Sequence, residues 1–166
     1  MNEFASPPRQ KLTLAELSSR IGMTSPWSDW MLIDQARVDA FAQATGDMAY
    51  IHVDPARAAQ TRFGATIAHG LLLLSLLPAI HHAVNPVIHG RKMGVNYGYN
   101  RVRFITPVPV GSRIRARFSL QEIKRSNSGF YLLQYEATVE LERAPRPAVT
   151  AEWILGAWID ETTPST

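Results

Sequence analysis

The second half of the chain alternates between apolar and polar residues over long stretches. Residues 113–120 follow this pattern, and residues 131–141 repeat it after a turn at residues 126–129. A period of two is typical of strands that bury one face. A turn at residues 144–147 precedes a third apolar segment, Val149–Ile159. The pattern predicts three long antiparallel strands joined by short connections.

The first half of the chain carries helical signals. Asp34 is a favourable N-cap, apolar residues recur after it at helical spacing, and Gly46 supplies a C-terminal stop. The pair Asp54 and Pro55 predicts the start of a second, short helix. Residues 66–80 are rich in leucine and predict a helix that is apolar on every face and therefore central. Together these elements indicate an α+β domain, with a strongly curved antiparallel sheet wrapped around that helix.

Length and composition fit one domain. The chain has 166 residues, of which 46% are hydrophobic and 19% are charged, a globular composition. We therefore expect a single domain over residues 1–166, with frayed termini at about 1–10 and 161–166. Cysteine is absent, which excludes a disulfide scaffold, a thiolate zinc site and a cysteine nucleophile. Since no signal peptide or membrane-spanning run is present, we expect a cytoplasmic protein without a membrane partner.

Basic residues are in slight excess, with 17 Lys and Arg against 14 Asp and Glu. The densest basic group is spread over two predicted strands, where it fits either a solvated strand face or a site for phosphate-bearing ligands. No zinc-finger spacing or RNA-binding aromatic motif accompanies the charge, so we expect no nucleic acid partner. The members of this group are Arg101, Arg103, Arg113, Arg115 and Arg117.

Asp47 and His52 form the first candidate for chemistry. They are five residues apart, a spacing that separates two side chains by about 140° on a helix and puts them on opposite faces of a strand. They can converge only across a turn, and Gly46 lies where one would begin. An aspartate and a histidine that share one water make a general acid–base pair. The alternative is a turn aspartate next to a partly buried structural histidine.

Gly70 is the second candidate, at the start of the apolar helix. Backbone N–H groups at a helix N-terminus stabilise negative charge, and glycine lets a ligand carbonyl approach closely. These are the requirements of an oxyanion hole, although close packing between two elements also favours glycine. The remaining histidines, His81, His82 and His89, show no metal-ligand spacing, so we expect no metal.

Short motifs along most of the chain occur together in one protein family. They are Ser28-Asp29-Trp30, the segment 41–47, His52-Val53-Asp54-Pro55, Ile67-Ala68-His69-Gly70, Asn96-Tyr97-Gly98, Val102-Arg103-Phe104 and the segment 107–111. In combination they resemble the MaoC-like dehydratases, the (R)-specific enoyl-CoA hydratases of the hot dog fold. Within that superfamily the chain is most similar to the nodulation protein N-like branch. The resemblance extends from about residue 20 to residue 160.

The resemblance implies a hot dog fold, a homodimer and a trans-2-enoyl thioester of coenzyme A as substrate, with no other cofactor. It makes Asp47 and His52 the catalytic pair and Gly70 the residue whose N–H holds the thioester oxygen, while His69 has a structural role. The implied activity is that of a hydro-lyase, which adds water to give an (R)-3-hydroxyacyl-CoA. Many family members carry Asn-Pro between the catalytic pair, whereas residues 48–51 here contain no amide side chain. This departure leaves the shape of the acyl pocket open.

Two other functions remain open. A hot dog acyl-CoA thioesterase would use the same fold and ligand but would hydrolyse the thioester. A non-catalytic acyl-CoA-binding module would need the fold without the acid–base pair. The arrangement of Gly46, Asp47 and His52 argues against the thioesterase, whereas the presence of the pair does not by itself establish turnover.

Overall fold

The computed structural model describes residues 10–127 and 129–162. The termini predicted to be frayed lie mostly outside these ranges, at residues 1–9 and 163–166. The elements in chain order are β1 (Lys11–Leu12), α1 (Leu14–Ser18), β2 (Met31–Ile33), α2 (Gln35–Thr45), α3 (Tyr50–Val53), α4 (Pro55–Ala58), α5 (Gly70–Ser75), α6 (Leu77–Val84), β3 (Val87–Ile88), β4 (Arg91–Phe104), β5 (Ser112–Arg125), β6 (Tyr131–Leu141) and β7 (Val149–Ile159).

Five strands form one antiparallel sheet in the order β2-β5-β6-β7-β4. Side chains that alternate along β5, β6 and β7 are buried on the face that packs against α5 and α6. This face holds most of the core, including Phe118, Leu133 and Trp153. The three predicted strands are thereby confirmed. The α+β hot dog architecture is confirmed as well, because the antiparallel sheet curls around a helical segment.

The helices before the sheet follow their sequence signals. The Asp34 carboxylate accepts a hydrogen bond from the Arg37 N–H (2.9 Å) at the start of α2. Helix α2 ends at Gly46, whose φ of 79° is the left-handed conformation that glycine adopts without strain. Asp54 caps α4 in the same way as Asp34 caps α2, but α4 is a single turn. No helix in the described ranges is long and apolar enough to cross a membrane.

The central helix begins later than predicted and is interrupted. Residues 66–69 are extended, and the Ala68 N–H donates to the Val108 carbonyl (2.8 Å), so the helix starts at Gly70. It is divided into α5 and α6 at Leu76. The physical reason is Pro78, which has no N–H for the carbonyl four residues earlier but fits the first turn of a new helix.

The expectation that this helix is wrapped on every side is wrong. Leu71 is 60% exposed, and Ser75 is also exposed, although Leu72 and Leu77 on the same segment are buried. The sheet contacts one face of the helical segment and leaves the opposite face accessible. A run of leucines therefore shows that a helix is apolar, but it does not show which faces of the helix pack against other elements.

The clustered arginines do not form one basic site. Strand β4 and strand β5 are separated by β6 and β7, so Arg101 and Arg113 lie on different parts of the sheet. Arg113 forms an ion pair with Glu142, and Arg115 pairs with Glu140 at 2.7 Å. Because these cations are matched by carboxylates on the neighbouring chain segment, the structure supports the interpretation as a solvated strand face.

Candidate active site

The turn after α2 carries the first predicted site residue. Gly46 ends the helix, and its N–H donates to the Ala42 carbonyl (2.8 Å). The left-handed backbone at Gly46 redirects the chain, so the next residue, Asp47, leaves the helix axis with an exposed side chain. The Asp47 N–H faces the Thr45 hydroxyl at 3.4 Å. Asp47 therefore lies on a short connection between two helices, as the spacing to His52 requires.

His52 lies on α3 and is only 8% exposed. Its Nδ1 is 2.7 Å from the Ile67 carbonyl oxygen, and the Ile67 N–H donates to the Ile51 carbonyl (2.9 Å). A carbonyl oxygen can only accept, so His52 Nδ1 must carry the hydrogen in this bond. The neutral His52 ring therefore presents Nε2 as an unprotonated acceptor. This tautomer is the one that a general base needs at Nε2.

His69 packs directly against His52. The two imidazole rings are stacked, with centroids 3.7 Å apart and an angle of 26° between their planes. His69 Nε2 lies 3.0 Å from the backbone oxygen of Asp47. His69 thus contacts both members of the predicted pair, although sequence spacing gave it no such role.

Gly70 begins α5 directly after His69. Its N–H is one of those at a helix N-terminus that have no intrahelical acceptor. A Cβ atom added to Gly70 would lie 2.7 Å from the Phe104 ring, well inside van der Waals contact. Glycine at this position therefore also permits close packing with Phe104, which was the alternative explanation from the sequence.

Asp47, His52 and Gly70 line one cavity of about 430 Å³. One carboxylate oxygen of Asp47 and one ring nitrogen each of His52 and His69 lie within 4.8 Å of one another. Most of the remaining wall is apolar, and it includes Ile67, Ala68, Leu71, Leu73, Phe104 and Val108. An apolar cavity with a few convergent polar groups is typical of a small-molecule site.

Two histidines and an aspartate could in principle hold a metal ion, but their geometry does not favour it. The lone pair of an imidazole nitrogen lies in the ring plane, and a zinc–nitrogen bond is about 2.0–2.1 Å long. Because the His52 and His69 rings are stacked, these lone pairs lie in two nearly parallel planes. One ion cannot lie close to both planes at once. The described residues therefore fit proton transfer better than metal coordination.

The other histidines do not join this site. His81 is buried, and its ring packs edge-on against Phe118, Tyr135 and Trp153, with centroid distances of 4.7–5.2 Å. His82, the next residue on α6, is exposed, and its ring centroid lies 6.2 Å from that of His81.

Sequence reasoning did not assign two further residues to the cavity. Phe104 at the end of β4 lines it and is 52% exposed. Its only sequence signal was membership of the Val102-Arg103-Phe104 motif. Arg62 also lines the cavity, with its guanidinium 5.0 Å from the Phe63 ring centroid. No pattern in the chain marked this arginine, and it adds a positive charge to an otherwise largely apolar wall.

Comparison with known proteins decides the family. A family model for a MaoC-like domain matches residues 16–142, which include Asp47, His52 and Gly70. The chain belongs to the MaoC-like dehydratase family. Nodulation protein N of Rhizobium leguminosarum bv. viciae is 49% identical to it over 145 residues, which cover 87% of this chain and 90% of that protein. The 3-hydroxyacyl-thioester dehydratase Z of Mycobacterium tuberculosis H37Rv is 46% identical over 143 residues, covering 86% and 94% of the two chains.

Solved structures give the same family. The (R)-hydratase from A. caviae superimposes with a TM-score of 0.67 at 26% identity, over 81% of this chain and 94% of that chain. A protein of Archaeoglobus fulgidus described as a monoamine oxidase regulatory protein reaches a TM-score of 0.71 at 24% identity, which supports the fold alone. The resemblance to MaoC-like dehydratases and to the nodulation protein N-like branch is confirmed. This MaoC-like protein thus has hydratases and dehydratases among its relatives.

Proposed function

We propose that this MaoC-like protein is an (R)-specific enoyl-CoA hydratase, which interconverts trans-2-enoyl-CoA and (R)-3-hydroxyacyl-CoA without a metal or other cofactor. The observation that carries the proposal is the convergence of Asp47, His52 and Gly70 on one largely apolar cavity. Two groups that each hydrogen-bond one water can be up to about 5.6 Å apart. The separation of at most 4.8 Å between the Asp47 carboxylate and the His52 ring meets this limit.

The tautomer of His52 supports a role for its Nε2 as the base. Nε2 of the neutral ring accepts a proton from water, while the Asp47 carboxylate accepts the second hydrogen bond and orients the oxygen. The water oxygen attacks the β-carbon, and the electron pair of the alkene moves toward the α-carbon and the thioester oxygen. The N–H of Gly70 stabilises the resulting enolate. His52 then returns the proton to the α-carbon, so that one water is added and the protein is regenerated.

The stereochemistry follows from the position of the pair. Asp47 lies on the connection between α2 and α3, and His52 lies on α3. Both residues therefore reach the same face of a substrate whose carbonyl is held at Gly70. Water and proton then arrive from the same side. The name of the structurally similar (R)-hydratase from A. caviae favours the R product. The name of the M. tuberculosis relative favours a thioester of a 3-hydroxyacyl chain.

We further propose that two copies of the protein associate through β4 as a C2 homodimer. This strand lies at one end of the sheet, where β7 pairs with one of its edges. Most of its residues are exposed, including three large apolar side chains: Met93 (52%), Val95 (36%) and Tyr97 (57%). A long strand edge with apolar side chains is a template for pairing with another chain, and C2 symmetry is the commonest arrangement.

The opposite end of the sheet supports the choice of β4. There, β2 pairs with β5, and the segment at residues 22–30 runs along the rest of that edge. The Ser25 and Ser28 N–H groups donate to the carbonyls of Phe118 (2.7 Å) and Ala116 (2.9 Å). Their hydroxyl oxygens accept from the N–H groups of the same two residues. At this end the outermost strand, β2, has only three residues and continues from an irregular segment, so β4 offers the longer regular edge to a second copy.

The test is incubation of the protein with a short trans-2-enoyl-CoA, with ultraviolet absorbance and thiol release followed in parallel. Hydration removes the conjugated double bond and leaves the thioester intact, so absorbance should fall without thiol release. Chiral analysis should give the R product. Thiol release would instead indicate a thioesterase, and saturable binding without turnover would indicate an acyl-CoA-binding module. An S product would contradict the stereochemical argument.

A further inference from the structure

His69 is a buried polar residue that contacts both members of the catalytic pair and that the proposed reaction does not use. It is the last residue before α5 and is 3% exposed. Its Nε2 faces the backbone oxygen of Asp47 at 3.0 Å, so Nε2 must carry the hydrogen. This bond joins residues 22 positions apart in the chain. It ties the exposed turn that carries Asp47 to the buried start of the central helix.

The same ring restricts His52. The hydrogen bond from His52 Nδ1 to the Ile67 carbonyl fixes one point of the His52 ring but permits rotation about the bond direction. The His69 ring, stacked at 3.7 Å, blocks that rotation on one side. The Phe41 ring of α2 contacts the His69 ring, with a distance of 5.1 Å between the ring centroids. This contact holds the His69 ring in place. The plane of His52 is thus set by a ring that is in turn held by α2.

The second nitrogen of His69 argues against a purely space-filling role. His69 Nδ1 is buried and has no hydrogen-bond partner among the described residues. A buried polar atom without a partner costs stability, and an apolar ring of the same shape would avoid that cost. A histidine at this position is explained if its Nε2–H is needed where it lies, on the backbone of Asp47.

We propose that His69 is a positioning residue that holds Asp47 and His52 in place relative to each other. It holds Asp47 through the hydrogen bond from its Nε2–H, and it holds His52 through the stacking of its ring. The inference rests on the proposed hydratase function. A displacement of about 1 Å of a reacting group can lower a rate by about 100-fold. Loss of both contacts should therefore act mainly on kcat. His69 also lines the cavity, so KM should change as well, but by less than kcat.

Three substitutions separate the two contacts. His69→Gln keeps an amide N–H that can donate to the Asp47 carbonyl but loses the ring, and His69→Phe keeps the ring but loses the donor. His69→Ala loses both. We expect kcat to fall by about 100-fold in His69→Ala and by about tenfold in each of the other two variants. His82→Gln is the matched control, since His82 is exposed on α6 and does not line the cavity. Its kcat should equal that of the wild type.

Nitrogen-15 NMR of the imidazole rings supplies a readout that does not depend on turnover. Because the Ile67 carbonyl fixes the tautomer, His52 should remain Nδ1–H in every variant. Its ring resonances should stay sharp in His69→Phe and broaden in His69→Ala, where the stacked ring no longer blocks rotation. Wild-type kcat in all three variants, or an unchanged His52 spectrum in His69→Ala, would overturn the positioning role. If His69→Ala does not fold, the glutamine and phenylalanine variants decide alone. A wild-type protein without hydratase activity would refute the proposed function, while the NMR comparison would still test His69.

Discussion

Substitution of Gly70 by alanine tests whether this glycine serves packing, chemistry or both. Gly70 is the first residue of α5, and its helical backbone accepts an L-residue. The added Cβ would lie 2.7 Å from Cγ and Cδ1 and 2.9 Å from Cε1 of Phe104, so the ring must move. Overpacking of this kind costs about 1–3 kcal/mol. Phe104 is 52% exposed and has room to rotate outward, which favours the lower end of that range.

The helix itself partly offsets this cost. Alanine is about 0.8–1.0 kcal/mol more favourable than glycine inside a helix, and somewhat less so at its first residue. We therefore expect a net loss of about 1 kcal/mol and at most about 2 kcal/mol in the free energy of unfolding of Gly70→Ala. For a chain of this size the midpoint of thermal unfolding should fall by about 2–4 °C per kcal/mol.

A double-mutant cycle with Phe104→Ala isolates the contact. In the Phe104→Ala background the clash is absent, so Gly70→Ala should be neutral or slightly stabilising, and the coupling energy should be about 1–2 kcal/mol. Thermal and urea unfolding of the four proteins measure it. An equal loss of stability in both backgrounds would refute the packing argument.

The activity of the same four proteins separates the two roles of Gly70. If the N–H of Gly70 holds the thioester oxygen, a methyl group at this position obstructs the approach even when Phe104 is gone. Hydratase activity should then be lower in the double variant than in Phe104→Ala, although these two proteins are about equally stable. A double variant as active as Phe104→Ala alone would show that Gly70 is needed only for packing.

Three further predictions concern the pair, the dimer and acid stability. Asp47→Asn and His52→Ala should each lower kcat by about 100-fold or more in a folded protein. The double variant should be little less active than the less active single variant, because the two residues act as a unit. A folded single variant with near wild-type turnover would remove that residue from the mechanism. Tyr97→Lys should convert the dimer to a monomer, because two-fold symmetry would bring the two introduced positive charges together at β4. Sedimentation at micromolar concentration measures this, and a wild-type protein that is a stable, active monomer would contradict the proposed dimer. The hydrogen bond from Arg113 lowers the pKa of Glu142, so this exposed pair contributes a small stability above the usual glutamate pKa that is lost as pH falls through the lowered value. The difference in thermal midpoint between wild type and Glu142→Gln should therefore shrink as pH falls below the usual glutamate pKa and vanish once Glu142 is protonated in the folded protein. A difference that grows with acidity would reverse the sign of the argument.

The parts of the fold that the sequence predicted are those with local causes. The alternation in residues 131–141 reports burial on one face of β6, and Asp34 and Gly46 mark the ends of α2 through bonds to residues within one helical turn. The interruption at Leu76 also has a local cause in Pro78. In the sequence, however, six leucines around this point predict one apolar helix, and a break in the helix does not change that apolar pattern.

The parts that the sequence did not predict depend on contacts between distant segments. The stack of His52 on His69 joins residues 17 positions apart, and the Gly70–Phe104 contact joins a helix start to the end of a strand. Spacing rules cover one helix or one strand at a time, so they could nominate Asp47 and His52 only on the condition that a turn brings them together. The exposed face of α5 was missed for the same reason.

The departure from the family pattern at residues 48–51 has less bearing on the pocket than the sequence indicated. Met48 is 55% exposed and Tyr50 is 37% exposed, with the Arg57 guanidinium 3.9 Å above the Tyr50 ring. Neither residue lines the cavity, whose described apolar wall comes from residues 67–68, the start of α5, the end of β4, residues 105–108 and Ala148. In one chain, residues 48–51 therefore contribute no side chain to the cavity wall. If the proposed function holds, substitutions meant to change the acyl preference belong at Leu71 and Phe104, which line the cavity.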